Sequence, residues 1–451
     1  MRPQGDQSAQ AREVALLALG IKRRLRHHLH ALGFHRDSND KLEPPGESKQ
    51  VLRSLHSKQR SQRLREQRHF IKEALPRLQR HFASGPEISP SQISPRLEVV
   101  RSEGDLADLF RLASLTWSIP VSAGYGRRIR FLVWDDFNSR LMGLIALGDP
   151  VFNLRSRDLA IGWQVAERKE RLVNVMDAYV LGALPPYNLL LGGKVVASLI
   201  RTKEVRDEFR SKYAQTRGII SKQRKDATLV MVTTTSALGR SAVYDRLVLN
   251  GVRYFESIGF TEGWGHFHIP ERLFSDMRRY LELVGHPYSS DHGFGEGPNW
   301  RLRTVRAVLE RTGMDGDLLK HGIRREVFVC RLAKNAFSVL NGRAQRPIYS
   351  NLLSVDEVAT LAIQRWVIRR AQTRPEYQKW HRSTIGAMLE PNGESTLSLP
   401  NGLPSSALVR HDQLTPKHLL PVVPGSTLEI PLRQPAALGV TSESINARQR
   451  R

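Results

Sequence analysis

Cysteine is almost absent from this sequence, since Cys330 is the only one among 451 residues. A single thiol cannot form a disulfide within the chain, and it excludes zinc and iron–sulfur sites built from several cysteine ligands. Structural disulfides belong to oxidising compartments, so their exclusion fits a protein of the reducing cell interior.

Long apolar runs are also missing. The apolar stretch at residues 14–21 precedes the basic cluster at 22–26, which reverses the charge order of an export signal. The stretch at 178–191 is interrupted by Pro185 and Pro186 and is too short to span a bilayer. We therefore predict a soluble, cytoplasmic protein with no membrane partner.

Acidic residues are scarce relative to basic ones. The chain has 69 lysines and arginines against 44 aspartates and glutamates, which gives a formal net charge of +25. A surplus of this size attracts polyanions, and nucleic acid is the commonest of them. Nucleic acid, DNA before RNA, is the partner that the composition predicts.

Changes in composition along the chain predict five segments. Residues 1–85 form a basic helical region, and the proline-rich stretch 86–95 is a linker. Residues 96–345 have the mixed pattern of an α/β core. Residues 346–385 form a helical extension, in which Ser354 and Glu357 make a capping box for a helix near 355–371. Residues 386–451 are rich in proline and lack periodicity, which predicts a disordered tail.

The basic region supplies candidate phosphate contacts. Helices are predicted at 10–32 and 49–83, with a kink or break near Leu75 because Pro76 follows it. The alternative is a solvated arm that only adds solubility. The second helix carries the candidate nucleic-acid ligands Lys58, Arg60, Arg63, Arg65 and Arg68.

The core contains recognisable strands. Residues 129–135 and 140–147 alternate and flank a turn, so they predict a hairpin. Strands are predicted at 174–181 and 228–235, separated by a long helix over 189–213. Residues 253–258 and 266–269 flank a glycine-rich turn and are expected to pair.

A glycine pair at the start of the predicted long helix indicates a phosphate or cofactor site. Gly192, Gly193 and Lys194 follow a strand and would present free backbone N–H groups at a positive helix end. The spacing is not that of a P-loop, because Val195 stands where that motif needs a hydroxyl. The alternative is that the glycines only allow the helix to pack closely on the sheet.

Three residues, Asp158, Asp177 and Tyr244, are candidates for acid–base chemistry. Asp177 lies within an apolar strand, and a buried carboxylate requires either a partner or a catalytic role. A salt bridge with Arg157 or a neighbour is the structural alternative. Tyr244, expected at the start of a helix, has a phenol that can protonate a leaving group or simply cap and pack.

A metal site is not predicted. His266 and His268 would share one face of a strand, but a third ligand from His286, His292 or Cys330 has no recognisable spacing. A structural or surface role is therefore the expectation for these histidines. No nucleophile–base arrangement is visible, so the residues alone identify neither a reaction nor a cofactor.

Several separated motifs resemble the DruA family. They are Arg157-Asp158-x-x-Ile161-Gly162-Trp163, the stretch VMDAYVLGALPPYNLLLGGKVVASLI, Gly297-Pro298-Asn299-Trp300-Arg301, and His321-Gly322-Ile323-x-Arg325-Glu326-x-Phe328. The resemblance covers roughly 96–345, and it implies a bacterial anti-phage component of the Druantia system that acts beside a large helicase-like partner. It transfers no catalytic residues.

The order of elements in the core also resembles an acetyltransferase-type (GNAT) fold. The resemblance implies an α/β (α+β) class, a GNAT-like mixed sheet with flanking helices. Within it, Asn188 to Lys194 would form the pyrophosphate loop, and Tyr244 would be a helix-borne acid. The sequence departs from that loop, because three leucines follow Asn188 and Gly192 and Gly193 are adjacent. Alternatives to a DNA-binding defence component are a transferase acting on a nucleobase or protein and an accessory protein of a mobile element.

Overall fold

A mixed β-sheet of seven strands organises the chain in the computed structural model. The structure describes residues 4–39, 41–121, 126–217, 224–266, 268–289, 300–314 and 316–393. The sheet strands, numbered along the chain, are β1 Pro95–Val99, β2 Arg128–Asp135, β3 Arg140–Gly148, β4 Val175–Ala183, β5 Met231–Thr235, β6 Glu256–Phe260 and β7 Glu326–Arg331.

The strand order across the sheet is β6-β7-β5-β4-β3-β2-β1. The pair β4 and β5 is parallel, and the other neighbours are antiparallel. The parallel pairing extends only from Val175 opposite Met231 to Asp177 opposite Thr233. Beyond it, β4 continues beside β3 while β5 continues beside β7, so the sheet opens between β4 and β5.

Helices cover the faces and ends of this sheet. Buried apolar side chains of α7 and α12 pack with those of β3 to β5 on one face, while α5 and α11 pack on the other. The helices are α1 Gln4–Ala31, α2 Lys49–Glu66, α3 Arg68–Leu78, α4 Asp105–Ser114, α5 Arg155–Ile161, α6 Val165–Arg171, α7 Gly192–Ser198, α8 Lys203–Tyr213, α9 Glu271–Leu283, α10 Trp300–Arg311, α11 Ala336–Leu340, α12 Val355–Ala362, α13 Ile368–Thr373 and α14 Thr384–Met388.

Short elements connect these helices and strands. A π-helical turn, Ile363–Val367, joins α12 to α13. Two-stranded ribbons pair His35–Arg36 with Leu42–Glu43, Gln215–Arg217 with Arg224–Asp226, and Val248–Leu249 with Val252–Arg253. The 3₁₀ turns are Gln79–His81, Gly85–Glu87, Leu172–Asn174, Tyr187–Leu190, Pro287–Ser289, Gly316–Leu319 and Pro375–Lys379.

The hairpin prediction is confirmed by β2 and β3, which pair antiparallel around a turn at 136–139. The predicted strands at 174–181 and 228–235 are confirmed as β4 and β5. The capping box is present as well, since Ser354 N donates to Glu357 Oε2 at 2.7 Å. These elements carry strong local signals, namely alternation and a reciprocal cap.

The single helix predicted over 189–213 is wrong, because α7 ends at Ser198 and α8 begins at Lys203. Ser198 Oγ donates to the carbonyl of Val195 at 2.7 Å, and Thr202 Oγ1 donates to that of Leu199 at 2.8 Å. Hydroxyls that bond to nearby carbonyls compete with the helical pattern, which explains the interruption here.

The break in the predicted helix 49–83 lies at Gln67 and not near Leu75. Gln67 Oε1 accepts a hydrogen bond from Arg111 Nε at 2.9 Å, which fixes the junction of α2 and α3 against α4. Pro76 lies inside α3, close to its end. It has no backbone N–H to donate to the helix, and α3 ends two residues later in the 3₁₀ turn Gln79–His81.

The predicted pairing of 253–258 with 266–269 is also wrong. Strand β6 pairs with β7, and α9 and α10 are inserted between the two strands. His266 and His268 therefore lie in the connection to α9, not on a strand. The pairing partner comes from much later in the chain, so local spacing does not reveal it.

The N-terminal helices and the C-terminal extension pack directly against the core. Leu64, Leu78 and Phe82 share one buried cluster with Leu132 of β2 and Trp380 of the extension. The predicted tail boundary at 386 is corrected, because α14 continues to Met388 and the description to residue 393. The rest of the predicted disordered tail, 394–451, lies outside the described residues. So do Gly297, Pro298 and Asn299 of the motif at 297–301 that resembles the DruA family.

Candidate functional site

Helices α2 and α3 hold a row of basic side chains at the surface. Leu52, Leu55 and Leu64 are buried and anchor α2 against its neighbours. Lys58 and Arg65 lie opposite the packed side of the helix, whereas Arg63, seven residues after buried His56, is exposed near the end of α2. Four of the five predicted phosphate contacts are exposed, and we call them the arginine stripe: Lys58, Arg63, Arg65 and Arg68.

The fifth predicted contact, Arg60, is corrected by the structure. Its side chain is 5% exposed, and its guanidinium donates to the carbonyls of Trp117 at 3.1 Å, Gly393 at 3.0 Å and Met388. Burial lowers the pKa of Arg60. A guanidinium occupied by three carbonyls is not available to phosphate, so Arg60 is a structural residue. Arg60 lies four residues before buried Leu64 and therefore on the same helix face, and this spacing is the sequence signal that indicates burial of Arg60.

The opening between β4 and β5 holds Asp177. Thr233 Oγ1 donates to Asp177 Oδ1 at 2.7 Å, and the carboxylate is half-buried at the last residue of the parallel pairing. Desolvation raises the pKa of Asp177 to about 6, against the opposing effects of Thr233 and the Arg157 charge. A carboxyl with a pKa near neutrality can exchange a proton at physiological pH.

The alternative salt bridge between Asp177 and Arg157 is not formed. Arg157 pairs instead with Asp158, with Nε and Nη2 at 2.9 and 2.7 Å from Oδ1. Asp158 also accepts from Arg168 at 2.6 Å, so a buried three-residue network fixes α5 to α6. Among the described residues, Asp177 has a hydroxyl partner and no ion-pair partner.

Tyr244 lies in a turn after β5, and the prediction that a helix carries it is wrong. Its ring centroid lies 4.7 Å from that of Phe255 and 5.2 Å from that of Phe328. Desolvation raises the pKa of Tyr244 to about 12, although a hydrogen bond with Thr234 lowers it. Because adjacent strand residues point to opposite faces, Thr233 and Thr234 hold Asp177 and Tyr244 on opposite sides of β5.

The predicted cofactor loop leads from the end of β4 into α7. A side chain on Gly192 would come within 2.6 Å of the Tyr187 carbonyl, so this glycine is required for close packing, as the alternative interpretation holds. A side chain on Gly193 would meet no atom within 4 Å. Asn188 has a buried side-chain oxygen with no hydrogen-bond partner among the described residues.

Lys194 extends from this loop towards the C-terminal extension. Its Nζ lies 5.3 Å from the centre of the Trp366 ring, within the range of a cation–π contact. Burial and then the charges of Arg246 and Arg365 lower the pKa of Lys194. Sequence patterns missed this gathering of cations, because its members come from α7, a loop and the π-helical turn.

Among the histidines considered as metal ligands, His268 is buried, His266 and His286 are half-buried, and His292 lies outside the described residues. His268 Nε2 lies 3.0 Å from the Leu318 carbonyl, and its ring centroid is 5.8 Å from that of His321. In the part of the chain that the structure describes, no group of three or more histidine, cysteine or acidic residues can hold a metal. Within the same ranges, no helix has both the length and the apolar character required to cross a bilayer.

Comparison with known proteins identifies the family. Residues 46–342 match the family described as Druantia protein DruA. The curated Druantia protein DruA of Escherichia coli (strain UMEA 4076-1) is 52% identical over 360 residues, which cover 80% of this chain and 89% of that protein. No solved structure matches, so the acetyltransferase-type likeness stays a prediction.

The family match starts earlier than the resemblance predicted from motifs. It begins at residue 46, so it includes α2, α3 and the arginine stripe, which the motifs had left outside. Its extent, together with the identity to the Escherichia coli protein, settles the assignment. The chain therefore belongs to the DruA family.

Proposed function

We propose that this protein is the nucleic-acid-binding component of a Druantia anti-phage system and that it acts in the cytoplasm. The observation that carries the proposal is the arginine stripe on a helix anchored by Arg60. A helix backbone that is already ordered loses little further conformational freedom when its cations meet phosphates, so more of their electrostatic attraction is retained.

The spacing of the stripe suits a phosphate backbone. Lys58 and Arg65 are seven residues apart on α2 and therefore lie on one face, about 10 Å apart along the helix axis. Burial is the main cause that lowers the pKa of His28 in α1, and the nearby charge of Lys58 lowers it further. The basic surfaces of α1 and α2 are therefore adjacent. We expect the stripe to contact the phosphates of DNA and not the edges of its bases.

The test is duplex DNA binding by fluorescence anisotropy across a salt series, with the full chain. Removal of 1–90 is unsuitable because Leu64 and Phe82 belong to the core. Replacing all four stripe residues with alanine should reduce the slope of log K against log salt by up to about 3.6, since each phosphate contact contributes about 0.9. The matched control removes four exposed charges elsewhere: Arg210, Arg272, Arg343 and Arg346.

The control separates a defined surface from general charge. If the stripe is the interface, the control variant keeps nearly the parental slope although its net charge falls equally. Equal reductions in both variants would show that only net charge matters. A stripe variant with the parental slope would reject the proposed interface.

Other Druantia proteins, including a helicase-like one, are the proposed protein partners. The family membership supports this assignment. Co-purification of a tagged chain with the other Druantia components, with and without nuclease, provides the measurement. Recovery that vanishes after nuclease treatment would indicate bridging by nucleic acid and no direct partner.

A transferase is the second candidate, with a GNAT-like core that modifies a nucleobase or a protein. Strand β4, a glycine-led loop, helices, β5 and the β6–β7 pair follow the order that this fold requires. The parallel pairing of β4 with β5 ends at Asp177, which would give an extended ligand room between the two strands. Acetyl-CoA should then raise the melting temperature of the full chain, and an unchanged melting curve would count against this candidate.

A further inference from the structure

A surface cavity of about 520 Å³ lies between the C-terminal extension and the turn at Asn250. We call it the Trp366 cavity. Two leucines form part of its wall, and its other lining residues are Asn250, Gln364, Arg365, Trp366 and Arg369. Its volume is in the range of small-molecule sites.

Two cations line this cavity, and two others lie near it. Arg365 and Arg369 line it, four residues apart along the chain, and Lys194 lies beside Trp366. The charges of Arg246 and Arg365 both act on Lys194. Within the described ranges, none of the four forms an ion pair, although Asp245 is close enough to Arg246 for each charge to influence the other.

This arrangement is unfavourable without an anion. Like charges four residues apart destabilise a helix, and the desolvated Lys194 amine adds to the cost. A phosphate or pyrophosphate group placed among these side chains would offset their repulsion and form charge-assisted hydrogen bonds with them. The chemistry of the site therefore selects a phosphorylated ligand.

The backbone beside the cavity supports the same conclusion independently. Ile363–Val367 forms a π-helical turn within an otherwise α-helical segment, and it contains Gln364, Arg365 and Trp366. Such turns are rare in helices and occur frequently at functional sites. Trp366 is buried and fixes the turn against the core, whereas Gln364 and Arg365 are exposed towards the cavity.

We propose that the Trp366 cavity binds a nucleotide, with its phosphates held by Arg365 and Arg369, which line the cavity, and with Lys194 beside Trp366 adding positive charge. The side-chain amides of Asn250 and Gln364 supply both donors and acceptors for the nucleoside portion. This site is independent of the proposed DNA interface, because the arginine stripe lies on α2 and α3.

The test is isothermal titration calorimetry of the full chain with ADP and, separately, with inorganic pyrophosphate. The double variant Arg365→Ala/Arg369→Ala should weaken ADP binding by about tenfold or more, because it removes two charge-assisted contacts. The matched control Arg343→Ala/Arg346→Ala removes the same charge from exposed positions away from the cavity and should bind like the parent. Melting curves establish that both variants are folded.

The outcomes separate the nucleotide from other anions. Tighter binding of ADP than of pyrophosphate, lost in the cavity variant, supports the proposal. Equal affinity for the two ligands would overturn the nucleotide assignment, because the nucleoside would then contribute nothing. No heat with either ligand would overturn it as well. If the cavity variant loses DNA binding instead, the cations belong to a nucleic-acid surface and the proposal is wrong.

Discussion

The guanidinium of Arg60 donates a hydrogen bond to the backbone carbonyl of Gly393 at 3.0 Å. This contact joins the basic helix α2 to the chain that follows α14, and Ser61 Oγ adds a bond to the Pro391 carbonyl at 2.5 Å. Helix α2 is thereby fixed to the last residues of the described chain. The arginine stripe is consequently presented by a supported helix.

Replacement of Arg60 by alanine is expected to destabilise the protein by about 2–4 kcal/mol, because three carbonyls, of which that of Met388 is buried, lose a charged donor. The measurement is urea unfolding of the full chain. Arg63→Ala, an exposed neighbour on the same helix, should change stability by less than about 0.5 kcal/mol. Equal effects of the two substitutions would show that the Arg60 network contributes nothing.

Buried histidines should make the protein sensitive to acid. Desolvation lowers the pKa of His56 and His268 to about 4 and that of His321 to about 3. The unfolded chain takes up these protons near pH 6.5, and the folded one does so only near pH 4. Stability should therefore be constant above pH 6.5 and fall as pH drops below it, by up to about 1.4 kcal/mol per pH unit for each histidine.

The variant His56→Gln measures how much of this pH dependence of stability comes from His56. His56 Nδ1 lies 3.0 Å from Gln59 Oε1, and its Nε2 lies 3.2 Å from Arg325 Nη2, whose charge also opposes protonation. The variant should show a shallower fall in unfolding free energy between pH 6.5 and pH 5. A slope identical to that of the parent would mean that folding does not lower the pKa of His56.

Local sequence signals explain which elements were predicted correctly. The β2–β3 hairpin and the Ser354 capping box depend on residues near one another in the chain, and both are confirmed. The pairing of β6 with β7 depends on a partner beyond two inserted helices, and its prediction was wrong. Arg60 was assigned to the surface because its residue type is polar, whereas tertiary carbonyl partners bury it.

The candidate site shows the same limit. Asp177 was singled out because a carboxylate in an apolar strand is costly, and the structure places it at the opening of the sheet. The cations of the Trp366 cavity were not found, since Lys194 and Arg365 are far apart in the sequence. Residue type identifies a costly side chain, but only the fold shows what surrounds it.

Asp177→Asn should increase stability at pH 7.5. The raised pKa of Asp177 means that its ionisation destabilises the folded state increasingly from pH 3.8 to about 6, and fully above that range. An amide oxygen can still accept from Thr233, so the gain should be on the order of 1–3 kcal/mol by urea unfolding.

The same variant tests a functional role for this carboxylate. If Asp177 serves in proton transfer, Asp177→Asn should lose phage protection in cells that carry the complete system while gaining stability. Thr233→Val, which removes the hydrogen bond and leaves the carboxylate, should retain part of the protection. Full protection by Asp177→Asn would show that Asp177 has no role in proton transfer.

Gly193→Glu should abolish phage protection without unfolding the protein, if the loop before α7 binds phosphate. A side chain at Gly193 meets no atom within 4 Å, so the substitution fits the fold, and its carboxylate would stand next to Lys194 and repel an anion. Gly193→Gln has nearly the same shape without the charge and should retain most protection. The measurement is plaque formation with the complete system, together with melting curves. Loss in both variants would indicate that the space at Gly193, and not an anion, is what the protein requires there.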